Sequence, residues 1–512
     1  MLILKISDVS LHHKTLLQFN YCVSPKQMRR FNLFPAKKRE FKFIPRIINP
    51  VKISHAAIFS ADEQVRKASE ALQENMPWVK VEVLRNPSSA SNYKSPHASV
   101  LMFDDVALNI VDVEKIKKNN KDAMLVLLSS NPAIHCSAPA IAQEKFPHTS
   151  KADLVFAINR SEFAPEKILP AVVRCAEDKL NIEKYSQARR FIFLIVDDEP
   201  RWFSQFLPLL YNIIGQRADV MVTRTYEETL QFLFGVADEA EIDGENYHLQ
   251  GHGDDVVCVI TDIFFPKENK LSSEAGRALC HLIKNYYPRI PLIIASKAKE
   301  GDDLKDFAFI MPKGDIGSLD ILKNYIHDYT GMGNFLIQNK QRGIDYRVKD
   351  INGLFDVLLN AEANTSEAGE LRELLEKYGR KDYFSTWLYM HGFREIGDKL
   401  RPRQDRGQRL VTTLKRYIIR EILRMNYTPL IIDRMKIFTL RDLLIVLHTI
   451  EPEKIQSLSD NDYFSIWLDR KGYSELAEEF RPIHGSGVKL EKKLAEVVEK
   501  WINLYEERGR TV

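Results

Sequence analysis

The chain has 512 residues, 45% of them hydrophobic and 28% charged, with a formal net charge of +3. That is the make-up of an ordinary globular protein with material for three or four domains, and it gives no global field for nucleic acid or membrane binding. Five cysteines, Cys22, Cys136, Cys175, Cys258 and Cys280, stand apart without a CxxC pair, which excludes a zinc ribbon or disulfide framework and fits a reducing cytoplasm.

Residues 1–51 carry a broken apolar run and then a basic stretch. Positions 11–50 hold nine Lys or Arg and one acid, Glu40. This reads as a basic extension, expected to be disordered, and as a poor secretory signal. No apolar run approaches 18 residues, so no transmembrane span is expected.

From residue 52 to 185, short apolar runs alternate with helix-like segments. The runs "HAAIFS", "VKVEVL", "ASVLMF", "AMLVLLSS" and "DLVFAI" predict five strands of an open parallel α/β sheet. A second unit over 190–331 repeats the pattern with "FIFLIVDD", "DVMVTRT", "VVCVITDIFF", "PLIIAS" and "FAFIMP". Its insertion, Asp238–Asp255, has seven acids and no Lys or Arg; it predicts a solvated loop, with a cation site at His248 and His252 as the weaker alternative.

Beyond 331 helical periodicity takes over, and two all-α modules are expected at 345–424 and 425–512. "DYFSTWLYMHGFREIGDKLRP" from Asp382 returns 80 residues later as "DYFSIWLDRKGYSELAEEFRP" from Asp462, identical at ten of 21 positions. The aromatics at helical spacing, Tyr383, Phe384 and Trp387, predict core packing. The stretch Lys399–Arg424 has nine basic residues and two acids, a solvated helix face before it is a nucleic-acid surface.

The chemistry gathers at strand ends of the second unit. Asp197 and Asp198 close its first strand, Asp262 its third, Ser296 its fourth and Lys313 its fifth. In open parallel sheets these positions meet at one edge. Three carboxylates there suit Mg²⁺, and a hydroxyl with an ammonium suits a phosphoryl group. A helix N-cap before Pro200 explains one of the paired aspartates, not the others.

On these residues, with Pro266 and Gly276, the segment 190–331 resembles the receiver domain of bacterial two-component response regulators. The resemblance implies a flavodoxin-like, doubly wound fold and a Mg²⁺-dependent phosphoryl transfer to Asp262. It implies that Asp198, Asp262 and the carbonyl of Phe264 bind the metal, with Asp197 acting through water. It assigns Ser296 and Lys313 to the phosphoryl oxygens. A sensor histidine kinase or phosphotransfer protein is the implied donor, and the C-terminal repeats the route to a protein target, with a homodimer admitted. Three residues depart from the family: Gly314 after the lysine, Ile310 three residues before it, and Lys297 after the hydroxyl. The first unit carries Asp104 and Ser129 at matching strand ends but lacks the acidic pair and the lysine, so it reads as a degenerate receiver-like domain. The rival readings are an unphosphorylated scaffold and a DNA-binding regulator using 399–424. An aspartate-nucleophile phosphatase is disfavoured because Phe264 stands where that class needs a second aspartate.

Overall fold

A computed structural model describes residues 50–95, 99–135, 139–158, 165–184, 191–235, 251–296, 302–313, 317–401 and 405–509. The basic extension, most of the acidic insertion with His248, and the departures Lys297 and Gly314 lie outside the described residues.

The first unit is a five-stranded parallel sheet of β1 (His55–Phe59), β2 (Lys80–Leu84), β3 (Ser99–Phe103), β4 (Met124–Ser129) and β5 (Leu154–Ala157), in the order β2-β1-β3-β4-β5. Strands β1, β3, β4 and β5 are buried along their whole length, as unbroken apolar runs must be when helices cover both faces of a parallel sheet. The edge strand β2 is partly exposed throughout, most at Lys80 and Val83.

The second unit contains β6 (Ile192–Val196), β7 (Asp219–Thr223), β8 (Val256–Thr261), the hairpin β9 (Phe265–Lys267) and β10 (Lys270–Ser272), then β11 (Leu292–Ser296) and β12 (Phe309–Pro312). Its five-stranded parallel sheet has the order β12-β11-β8-β6-β7, the same topology as the first. The run read as one strand through Phe265 instead breaks at Asp262. The chain then turns into β9, so Asp262 sits in a loop and not in a ladder.

The two units share one hydrophobic core, which runs from Ile53 in β1's approach to Met332 beyond the second sheet. Helix Pro165–Lys184 lies between them. Its Asp178, fully buried, accepts from Val220 N at 2.8 Å and Tyr211 Oη at 3.0 Å and is paired with Arg174 at 2.8 Å. A buried carboxylate with this many donors is compensated for its lost water. The first helix of the second unit, Pro200–Phe203 continuing as Phe206–Ile214, is buried on most sides. The first unit reaches it through His135 Nδ1 on Arg201 O at 2.6 Å and through Val155 N, which donates to Ser204 Oγ at 3.0 Å.

The C-terminal region is not all-helical. Each module opens with an antiparallel hairpin, β13 (Phe335–Asn339) with β14 (Ile344–Val348) and β15 (Leu430–Ile432) with β16 (Met435–Ile437). Five helices follow in the first module and five in the second, of the described residues. In the repeated segment Phe384, Trp387 and Leu388 and their counterparts Phe464, Trp467 and Leu468 are buried at the centre of each module, while Tyr383 is half-buried. The long helix Gly407–Tyr427 turns Leu410, Leu414 and Ile418 inward. Several of its basic residues are paired within the chain: Arg409 with Asp405, Lys415 with Glu362, and Arg424 with Glu421.

The modules are fastened to the second α/β unit by buried polar contacts. Arg217 donates to the carbonyls of Ile213, Met332 and Met390. Asp462, which opens the second repeat, accepts from Gln216 N at 2.5 Å, whereas its counterpart Asp382 takes Arg401 of its own module at 2.5 Å. Trp387 Nε1 and His391 Nε2 lie 2.8 and 2.9 Å from Gly333 O, and His391 Nδ1 lies 2.8 Å from Asp469 Oδ2 in the other module.

Candidate functional site

Parallel pairing of β6, β8, β11 and β12 brings their carboxyl ends to one edge. Asp262 N donates to Val196 O at 2.9 Å, and Lys313 N to Ser296 O at 2.9 Å, so backbone bonds tie these strand ends together in two pairs. Helix Ala275–Tyr286 begins directly under the Asp262 loop. A Cβ on Gly276 would lie 2.5 Å from Asp262 O and 2.6 Å from Ile263 Cα, both backbone atoms. The absence of a side chain there lets the helix support the loop, and Gly276 N donates to Ile263 O at 3.0 Å.

At this edge Lys313 Nζ lies 2.6 Å from Asp197 Oδ2 and 2.5 Å from Asp262 Oδ2. The lysine side chain is 4% exposed and that of Asp262 is 15% exposed, so the ammonium is interior while the Asp262 carboxylate still meets solvent. Burial works against the Lys313 charge, but the two carboxylates overcome it and hold the lysine above its usual titration range. Burial also pushes Asp197 up, with Lys313 pulling the other way. Asp198 is raised to about 6, again chiefly by burial.

The remaining polar contacts orient these groups. Asp197 Oδ1 accepts from Glu199 N at 3.0 Å, which turns the chain into the helix at Pro200. The helix N-cap itself is Glu199, without a side-chain capping bond, so neither aspartate takes the capping role weighed for the acidic pair. Asp262 Oδ1 accepts from Ile263 N at 2.6 Å. Ser296 is buried at the end of β11 and Phe264 is half-buried in the loop after Asp262. Trp202, not singled out from the sequence, covers the site from the first helix with its ring 5.9 Å from Lys313 Nζ. Ile310 is half-buried on β12, with no ring to offer at that position.

Among the described residues no three His, Cys, Asp or Glu side chains form a metal-holding group. Asp197 and Asp262 clasp the lysine instead, and Asp198 stands beside them. The donor chemistry nonetheless fits Mg²⁺. Three carboxylates against one ammonium leave the cluster short of positive charge, and Mg²⁺ is commonly held by one or two carboxylates, waters and a phosphate without an all-protein cage.

The first unit spends the matching groups internally. Asp104 Oδ1 caps the next helix through Ala107 N at 2.7 Å, and its Oδ2 accepts from Ser60 Oγ at 2.5 Å and Ala61 N at 3.2 Å. Ser129 Oγ donates to Asp105 Oδ2 at 2.7 Å, and Asp105 Oδ1 lies 2.8 Å from His148 Nε2. No ammonium faces Asp104 in these contacts. In the remnant of the acidic insertion, His252 stacks on Phe232 at 4.9 Å and lies 3.6 Å from Asp255, a packing role. No helix of the described residues is long and apolar enough to cross a membrane. In comparisons with known proteins, no family model and no curated protein matches this chain.

Proposed function

We propose that residues 190–331 form a flavodoxin-like receiver domain that accepts a phosphoryl group on Asp262 and signals through the C-terminal modules, as a response regulator does. The observation that carries this reading is the Asp197–Lys313–Asp262 cluster at the carboxyl edge of a parallel sheet. Of the two carboxylates that clasp Lys313, Asp262 is the more exposed, and we take it as the acceptor.

Asp262 Oδ attacks the phosphorus of the donor, the bond from phosphorus to the leaving group breaks, and the leaving group departs with the electron pair. The Lys313 ammonium, already on Asp262 Oδ2, steadies the carboxylate and then follows the new charge onto a phosphoryl oxygen. Ser296 would donate its hydroxyl to another. Asp198, Asp262 and the Phe264 carbonyl would hold Mg²⁺, with Asp197 reaching it through water; the ion would neutralise charge on the phosphoryl oxygens.

A histidine kinase or a small phosphodonor would supply the phosphoryl group. Full-length protein incubated with Mg²⁺ and acetyl phosphate should gain one hydroxylamine-labile phosphoryl mass on Asp262. No gain, or a gain that persists in Asp262→Ala, removes the proposal. One observation favours the scaffold reading instead: the helix beside the site is roofed by the first unit through Arg201 and Ser204. The same experiment separates the two.

A further inference from the structure

A cleft of about 250 Å³ opens at the opposite end of the second sheet, where Phe191, Val256 and Leu292 begin their strands, and its other wall is the first C-terminal module. Junctions between domains are preferred places for small-molecule sites, and this volume falls just below the usual range for them, which restricts the occupant to a small ligand. One wall is an aromatic stack: Tyr325 lies 4.4 Å from Phe309 and 4.7 Å from Tyr329, ring to ring. Across from it stand Tyr378 and Tyr383, 5.3 Å apart and edge to face.

Two lysines line the same cleft, Lys284 from the sheet side and Lys381 from the module. Lys284 Nζ donates to Ile290 O at 2.8 Å. Among the described residues, neither lysine is in an ion pair with a carboxylate. The acids that line the cleft are already paired: Asp328 with Arg347 at 2.9 Å outside it, and Asp254 with Arg289 at 3.2 Å within it. Lys284 is moreover held below the ordinary lysine range, by burial first and by the ammonium of Lys381 second. Two lysines lining one cleft without a carboxylate partner favour a ligand that brings negative charge. A phosphate monoester, with close to two negative charges near neutral pH, matches two ammonium groups better than a single carboxylate does. Flat tyrosine faces suit a planar ring attached to it.

We propose that this cleft binds a small phosphate monoester carried on a planar ring, with the ring against Tyr329 and Tyr383 and the phosphate between Lys284 and Lys381. The occupant would touch both the second α/β unit and the first module, so its binding would tighten their junction. The site is separate from Asp262, and the proposal does not depend on phosphoryl transfer there. Such a phosphate could be a free nucleotide or a small aryl phosphate.

Calorimetric titration of the full chain tests it with AMP, phenyl phosphate, adenosine and inorganic phosphate. At least one ring-bearing phosphate should bind about tenfold or more tightly than adenosine or inorganic phosphate. AMP alone would identify the nucleotide source, and phenyl phosphate alone the aryl source. Lys381→Gln should weaken that binding about tenfold, as the loss of one charge-assisted contact to phosphate requires. Lys381 is exposed, so this variant should fold and melt as the parent does. Tyr383→Ala should weaken the ring-bearing ligand and leave inorganic phosphate binding unchanged. No binding by either ring phosphate, or binding that Lys381→Gln leaves unchanged, overturns the proposal.

Discussion

The buried pair His391–Asp469 joins the two C-terminal modules, and replacing Asp469 by Asn should loosen them by an amount that depends on pH. Asp469 is 5% exposed. Burial alone would raise its carboxyl, but His391 at 2.8 Å, with Arg481 at 3.9 Å and Arg217, outweighs burial and lowers it from 3.8 to about 2. A carboxyl depressed on folding stabilises the folded state above its unfolded value and loses that contribution as pH falls through the folded value. The drop is worth about 2 kcal/mol, present above pH about 4 and lost towards pH about 2. Asn also leaves His391 facing an uncharged partner, and breaking a buried pair from one side costs roughly 3–5 kcal/mol. Asp469→Asn should therefore lower the local opening free energy by about 2–5 kcal/mol at pH 7. Hydrogen exchange on peptides from helices Tyr383–Met390 and Tyr463–Arg470 reads the junction directly, which matters because a multidomain chain need not unfold in one step. The deficit should narrow as the parent is acidified below pH 4. Unchanged exchange at pH 7, or a deficit of the same size at pH 3 and pH 7, would refute the argument.

Other outcomes follow from the same contacts. Gly276→Ala should displace the Asp262 loop and destabilise the second unit by about 1–3 kcal/mol, read as a lower melting temperature, because the new Cβ meets backbone and not a movable side chain. Lys313→Met should leave the buried Asp197 and the partly exposed Asp262 without their ammonium, so its destabilisation should be large at pH 7 and should shrink as acid neutralises Asp197; a pH-independent loss would contradict the cluster. Arg217, which burial and then Arg481 lower to about 9, bridges four carbonyls, and Arg217→Met should raise the exchange of the Met332 and Met390 segments more than that of β15 and β16. Phosphodonor treatment should label no residue of the first unit, since Asp104 and Ser129 are already hydrogen-bonded inward; peptide mapping checks this.

The parts that were legible in the sequence are those with local causes. Unbroken apolar runs such as Ile192–Val196 have to be buried strands, and a short connection through a helix forces their neighbours to be parallel. Once the strands are placed, Asp197, Asp262 and Lys313 fall at one edge by topology alone. Which carboxylates Lys313 would clasp was not legible, because it depends on the depth of each loop. The hairpins of the modules were missed for a specific reason. Two-residue turns with both residues at positive φ usually announce themselves with Asn-Gly or Asp-Gly. Here Asp433 and Arg434 take φ values of 47° and 71°, and Glu268 and Asn269 in the turn from β9 to β10 take 53° and 61°. Without glycine, these segments read as charged helix or loop. The hairpin from β13 to β14 did carry a signal, Gly343 at φ 65°, but helical periodicity around it dominated. The cover that the first unit places over Arg201 and Ser204 had no local cause at all. It rests on His135 and Val155, about 50 to 70 residues away in sequence.

The core shared by the two α/β units has a consequence for how the protein could be divided. Asp178 and Arg174 reach from one unit into the other, and buried side chains from Ile53 to Met332 belong to one cluster. A break between residues 184 and 191 would cut the chain without cutting that core. The two fragments should therefore stay associated through gel filtration and, produced separately, should find each other and reassemble, so that either half could carry a label for following the other.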